Sequence, residues 1–209
     1  MLSLEKEKII KKRISLFRYV PFVRLAVISG SCVTGNVKNG SDIDIIIGVK
    51  DNRVYLCRAL TLFICDLLHI RNKPPKPETN KLCLSHFMCM SDLKMNDPEN
   101  SYETESYPFL FPVYGDYSAC EEFFMANTHV IKKVPDYREY SLYVGGGKNR
   151  FIRIAEKMFS GRLGDTFESF ARKKQSKKIQ RRIEELAKNG QKTRVITSLN
   201  RIETYYNIH

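Results

Sequence analysis

Two carboxylates, Asp42 and Asp44, stand two residues apart in the isoleucine-rich run "DIDIIIGV". Alternate residues of a β-strand lie on one face, so this spacing predicts that both acids point the same way while the intervening isoleucines point into the core. Carboxylates packed together repel each other, and burial makes their charge more costly. A cation that prefers oxygen ligands removes both problems, and Mg²⁺ typically binds one or two carboxylates plus phosphate oxygens. The pattern therefore predicts a Mg²⁺ site at Asp42 and Asp44, with Mn²⁺ as the alternative ion.

A glycine–serine corner, Gly30–Ser31, ends the preceding apolar run "VRLAVIS". Glycine lets the backbone approach a phosphate closely, and the serine offers an N–H and a hydroxyl as hydrogen-bond donors. A triphosphate at this corner beside a metal on the next strand suits nucleotidyl transfer, in which an acceptor hydroxyl attacks the α-phosphorus and pyrophosphate leaves. We therefore predict that Gly30 and Ser31 bind a nucleotide and that Asp42 and Asp44 are catalytic.

The elements that must position these residues form a small α/β unit. The patterns predict an amphipathic helix with lysines on its solvent side, then a strand, a loop, a strand, an apolar helix and a third strand, over residues 4–19, 23–29, 31–41, 42–49, 53–70 and 81–89. The later segments predict mostly helices, at residues 116–133, 149–160, 163–188 and 196–207. The predicted fold class is α/β (α+β), with a small mixed-sheet domain over residues 1–106 and a mainly α-helical region over residues 107–209.

The order strand, Gly30–Ser31, ten residues, Asp42–Ile43–Asp44, strand resembles the signature of the DNA polymerase beta-like nucleotidyltransferase superfamily. The text "SDIDI" at residues 41–45 is similar to that of the minimal nucleotidyltransferase domains of bacteria and archaea, and the resemblance covers about residues 5–90. It implies a Mg²⁺-dependent enzyme that moves a nucleoside monophosphate (NMP) from a nucleoside triphosphate (NTP), such as ATP, to an acceptor. RNA is the favoured acceptor. A protein hydroxyl, as in antitoxin-like nucleotidylyltransferases, and a small molecule remain open.

The resemblance is incomplete at one position, because active members usually supply a third carboxylate from a later strand beside the Asp pair. The strand expected there, "KLCLSHFMC", contains no acid. The candidates on or near it are Cys83, Ser85, His86, Asp92, Glu78 and Asp66. A catalytically weakened module of the same fold, which binds a nucleotide or RNA without turnover, is therefore the alternative function.

Charge is concentrated at the C-terminal end of this chain of net charge +12. Residues 141–209 contain 16 Lys and Arg against 6 Asp and Glu, a local charge of +10. Basic doublets recur every four residues and would form one ridge on a helix, namely Lys173, Lys174, Lys177, Lys178, Arg181 and Arg182. Such a ridge can track a nucleic-acid backbone, although a solvated helix face gives the same pattern.

The remaining composition is that of an ordinary globular chain, with 43% hydrophobic and 28% charged residues. The six cysteines show no zinc-ligand spacing, which favours reduced, structural thiols. No apolar run is long enough to span a bilayer, and the N-terminal segment lacks the features of a secretory signal. The sequence therefore predicts a cytoplasmic protein with no membrane partner.

Overall fold

Seven strands of the described chain form one mixed β-sheet. The computed structural model describes residues 3–37, 40–73, 78–132, 136–137, 140–188 and 193–206. Its strands are β1 (Val23–Ser29), β2 (Ile43–Val49), β3 (Leu82–Cys89), β4 (Phe111–Gly115), β5 (Val144–Gly145), β6 (Thr193–Thr197) and β7 (Arg201–Tyr206). They lie in the order β5-β4-β1-β2-β3-β7-β6. The β2/β3 and β4/β5 pairs are parallel, and the other pairs are antiparallel.

Helices of very different lengths connect and cover these strands. They are α1 (Leu4–Ile14), α2 (Ser31–Thr34), α3 (Val54–Leu67), α4 (Ser101–Ser106), α5 (Tyr117–Ala126), α6 (Arg150–Met158) and α7 (Arg162–Lys188). Helix α3 lies in the crossover from β2 to β3, as a parallel strand pair requires a long connection. None of the helices in the described ranges combines the length and apolar character needed to cross a lipid bilayer.

Two apolar clusters lie on opposite faces of the sheet. Helices α1 and α3 contribute to the first cluster, which includes Ile43, Ile45 and Ile47 of β2. Helix α5 contributes Phe123 and Phe124 to the second cluster, which also contains Ile46. The alternation along β2 therefore places the three isoleucines in the core, as the period of two predicts, and leaves Asp44 on the other face.

The predicted fold class is confirmed, since the chain is mixed α/β and long helices follow in the C-terminal region. The helix predicted over residues 196–207 is wrong, because β6 and β7 form an antiparallel hairpin there. The segments "TRVIT" and "RIETYY" are rich in β-branched and aromatic residues, which suit a strand better than a helix. Strand β7 pairs with β3, so the sheet contains strands from both sides of the predicted boundary at residue 106.

Helix α6 is anchored to the start of β1 by one acidic side chain, Glu156. Its carboxylate accepts hydrogen bonds from the Phe22 N–H at 2.5 Å and from the Arg24 guanidinium at 3.0 Å, and it pairs with Lys148. Burial alone would raise the pKa of Glu156, but the bonds from Arg24, Lys148 and Phe22 outweigh it and lower the pKa to about 2. Glu156 therefore stabilises the fold most strongly in its ionised form.

We expect Glu156→Gln to lower the free energy of unfolding by about 3 kcal/mol near pH 7, at 1.36 kcal/mol per pKa unit. Since the folded pKa lies below the ordinary value of 4.5, this contribution is present above about pH 4.5 and disappears as the pH falls towards about 2. Urea denaturation across this range measures the effect, with the exposed Glu122→Gln as control. An equal loss of stability near pH 7 and near pH 3 would contradict the assignment.

Candidate metal and nucleotide site

The candidate site lies where three neighbouring strands bring Ser29, Asp44 and Cys83 into one row. Ser29 of β1 pairs with Asp44 of β2, and Asp44 pairs in turn with Cys83 of β3. Asp42 stands just before β2, and its carboxylate joins the group. One ligand atom from each of Asp42, Asp44 and Cys83 lies within 4.8 Å of the other two. The two acids are thus neighbours on one side of the strand, as their spacing predicts.

The glycine corner is pressed against the same carboxylate. Gly30 has φ of 69° and ψ of −151°, a positive-φ conformation that residues with a Cβ atom rarely adopt. A Cβ atom at this position would collide with Oδ2 of Asp44 and with the hydroxyl of Tyr102. Ser31 follows as the first residue of α2 and is partly exposed. The structure therefore brings together all four residues of the predicted site, and only glycine fits at the corner.

Each carboxylate of the pair is held by a neutral hydrogen-bond donor. The Asn72 amide donates to Oδ2 of Asp42 at 2.5 Å, and the Tyr102 hydroxyl donates to Oδ2 of Asp44 at 2.6 Å. The Cys83 thiol also hydrogen-bonds with both acids. These donors fix the orientation of the carboxylates but add no positive charge to offset theirs.

The electrostatics of the pair favour a cation. Burial is the largest cause, and repulsion from Asp42 the second, of a pKa of Asp44 raised to about 6. Burial also raises the pKa of Asp42. The nearby ammonium of Lys6 opposes both shifts, but its hydrogen bonds go to the Ser41 carbonyl at 3.0 Å and to Oδ1 of Asn80 at 2.8 Å. Among the described residues, neither acid forms an ion pair. A divalent ion between them would supply the missing charge.

The third position of the site is a thiol rather than a carboxylate. Two adjacent carboxylates fit Mg²⁺, but a thiol is not a ligand that this hard ion prefers. A softer ion such as Zn²⁺ could use all three side chains, since it binds both thiolate and carboxylate. The donor set therefore accommodates Mg²⁺ or Mn²⁺ through Asp42 and Asp44 alone, and Zn²⁺ through these acids and Cys83.

The other candidates for the third ligand are engaged elsewhere. Asp92 pairs with Arg201 at the opposite end of β3, so the three-acid site with Asp92 is excluded. Two further acids form salt bridges: Asp66 with Arg71 and Lys73, and Glu78 with Lys81. His86 is partly buried and packs against the Tyr205 ring, with 4.8 Å between ring centroids, and desolvation lowers its pKa to about 4. The side chain of Ser85 lies outside the described part of the chain.

Sequence reasoning missed three residues that shape the site. Lys6 was predicted on the solvent side of the first helix, but only 8% of its surface is exposed. Its place four residues before Ile10 and eight before Ile14, both buried, is the signal that could have found it. Asn72 follows α3 in an irregular segment and Tyr102 lies on the short helix α4, and no local pattern brings either of them to Asp42 or Asp44.

The predicted basic ridge lies on α7, a different element from those that carry the Asp pair. Helix α7 packs against α3 and β6. Five of the six ridge residues are exposed and Arg182 is partly buried, while the opposite face buries Leu186. Lys174 lies over the Phe170 ring at 4.5 Å from the centroid, and Arg182 pairs with Glu185 at 3.2 Å. The ridge is thus a solvent-facing basic surface.

No family model matches the chain, and no curated protein matches its sequence.

Proposed function

We propose that this chain is a metal-dependent nucleotidyltransferase that moves an NMP from an NTP, such as ATP, to an acceptor hydroxyl, with RNA as the favoured acceptor. One observation carries the proposal: the positive-φ corner at Gly30 touches Asp44, which with Asp42 forms a carboxylate pair that has no ion-pair partner among the described residues. We further propose that the chain is a divergent, minimal member of the DNA polymerase beta-like superfamily and works in the cytoplasm, where NTPs are abundant.

Each residue of the site has a separate role in this proposal. Asp42 and Asp44 would hold Mg²⁺ or Mn²⁺, which supplies charge neutralisation for the phosphates when it is bound. Gly30 lets the backbone approach the triphosphate, and Ser31 offers donors to it. Asn72 fixes Asp42 through the 2.5 Å hydrogen bond, and Lys6 ties α1 to the Ser41 carbonyl just before the pair. Asn72 and Lys6 are therefore positioning residues.

A nucleotide- or RNA-binding module without turnover is the second candidate function. The observation that favours it is the thiol of Cys83 at the position where a third carboxylate would help to activate the acceptor. Transfer to a protein hydroxyl, as in antitoxin-like nucleotidylyltransferases, keeps the same chemistry with another acceptor.

A transfer assay separates these functions. The wild-type protein is incubated with each α-labelled NTP, with Mg²⁺ or Mn²⁺, and with total RNA or cell lysate, beside the double variant Asp42→Ala/Asp44→Ala. Label on an acceptor that depends on both acids supports the enzyme. Equal label from both proteins, or from neither, overturns it, and NTP binding without transfer supports the binding module.

If RNA is the acceptor, the basic ridge should make part of the contact. Neutralising Lys173, Lys174 and Lys177 with glutamine should lower RNA affinity by about 10-fold at low salt and reduce the slope of log K against log[salt] by about 2, at about 0.7 per phosphate contact. A filter-binding titration at several salt concentrations measures both quantities. A matched triple substitution on α1 replaces three other exposed lysines, Lys8, Lys11 and Lys12. Equal losses of RNA affinity in the two variants would show that net charge, rather than the ridge itself, determines binding.

A further inference from the structure

One tyrosine hydroxyl occupies the middle of the candidate site. Tyr102 Oη lies 2.6 Å from Oδ2 of Asp44 and, at the same time, against the Cα of Gly30, where a Cβ would collide with it. The hydroxyl therefore contacts both the predicted metal ligand and the predicted phosphate corner. The rest of the side chain remains accessible, since 49% of Tyr102 is exposed.

Helix α4 presents this tyrosine without needing its hydroxyl. Asn100 caps the helix by accepting from the Glu103 N–H at 2.9 Å, and its amide donates to Oε1 of Glu103 at 2.7 Å. The other carboxylate oxygen of Glu103 accepts from the Glu99 N–H at 2.9 Å. These bonds surround Tyr102 in the sequence and, like a capping box, fix the turn that carries it. The helix is consequently held in place without the Tyr102 hydroxyl, which donates to Asp44 instead.

We propose that Tyr102 is the chain's own acceptor, so that the protein transfers an NMP to Tyr102 Oη within one molecule. This inference rests on the proposed function and names its acceptor. An attacking hydroxyl needs a group beside it that takes its proton and a phosphate within reach. Asp44 already accepts the hydrogen bond from Oη, and Gly30 already touches the same oxygen.

The step balances without a further reactant. Oη attacks the α-phosphorus of the NTP, and an Oη–P bond forms. The bond from the α-phosphorus to the oxygen that bridges it to the β-phosphate breaks, and pyrophosphate leaves with its electron pair. The phenol proton passes to the Asp44 carboxylate along the existing hydrogen bond. The product carries one nucleotide on Tyr102, so each chain reacts once.

Intact-mass analysis of the full chain incubated with each NTP and Mg²⁺ or Mn²⁺, without RNA, tests the inference. We expect a gain of one NMP per chain, located by peptide mapping on Tyr102, with a first-order rate constant that does not depend on protein concentration. Tyr102→Phe should lower this rate by about 100-fold or more because it removes a positioned nucleophile. Tyr19→Phe is the matched control, since Tyr19 is also 49% exposed but belongs to the 15–19 turn rather than to the site.

The failure of this inference can be told apart from the failure of the proposed function. Protein label that persists in Tyr102→Phe, or a rate constant per chain that rises with protein concentration, overturns transfer to Tyr102 within one chain. Label on RNA alone, with more transfer by Tyr102→Phe than by the wild type, also overturns it, because Tyr102 would then obstruct the site. All of these results leave the proposed function standing. If no labelled product forms, either with or without RNA, both proposals are overturned.

Discussion

Asp44→Asn should lower metal-dependent NMP transfer by about 1,000-fold or more and make the metal-free protein more stable. Asparagine has the same shape as aspartate and its side-chain oxygen still accepts the Tyr102 hydrogen bond, so the geometry around Gly30 is retained. The negative charge that would bind the ion and take a proton is lost, and carboxylate ligands of this kind supply several kcal/mol to phosphoryl transfer.

The gain in stability follows from the pKa of the acid. Burial and Asp42 raise the pKa of Asp44 from 3.8 to about 6, so the charged form costs the folded protein free energy near pH 7. Because the folded pKa lies above the unfolded one, this cost grows as the pH rises from about 4 to about 6 and is absent below about 4. We therefore expect Asp44→Asn to raise the free energy of unfolding by about 1–3 kcal/mol near pH 7, and by little below pH 4.

Transfer kinetics and urea denaturation on the same samples measure the two effects. Asp97→Asn is the control, because the Asp97 side chain is 90% exposed and lies outside the site. A residue kept only for packing would lose stability and activity together. Wild-type transfer rates in Asp44→Asn, or a loss of stability in the metal-free state, would remove Asp44 from the role proposed for it.

This opposition between stability and function also explains why the Asp pair could be predicted from sequence. Two acids in an isoleucine-rich strand conflict with the local preference for apolar residues, and such conflicts are expected where a site is built. The strand period of two then placed Asp44 and the core isoleucines on opposite faces, and a glycine at the end of β1 predicted the corner. All of these inferences rest on neighbours in sequence, where local geometry is restrictive.

The parts that could not be predicted depend on contacts distant in sequence. Tyr102 reaches Asp44 from 58 positions away, and Lys6 reaches Asn80 from 74 positions away. The β6/β7 hairpin is positioned by the pairing of β7 with β3. Residues 196–207 considered alone carry no information about that pairing, so their local sequence predicts a helix instead. Tertiary context overrides local propensity in such segments.

The position of Cys83 could be predicted only in part. The local sequence predicts its strand, but its alignment with Asp44 depends on a contact distant in sequence. The parallel register of β2 and β3 sets Cys83 opposite Asp44, at the place where the resemblance leads us to expect a third acid. The thiol is therefore the feature that most directly decides whether the site turns over with Mg²⁺ or binds a softer ion.

Cys83→Asp should create a three-carboxylate site and raise both the Mg²⁺ affinity and Mg²⁺-dependent transfer by about 10-fold or more. The added charge should lower the free energy of unfolding of the metal-free protein by about 1–3 kcal/mol, since it joins two acids whose pKa values burial already raises. Mg²⁺ should restore that stability by binding only the folded state.

Cys83→Ser separates the two ingredients of this change, because it removes the sulfur without adding a charge. We expect it to weaken Zn²⁺ binding relative to the wild type and to leave the response to Mg²⁺ unchanged. Calorimetric titration and thermal melts with Mg²⁺, Mn²⁺ and Zn²⁺ compare the three proteins. If Cys83→Asp responds to Mg²⁺ no more than Cys83→Ser does, position 83 does not hold the third ligand, and a bound ion would depend on Asp42 and Asp44 alone.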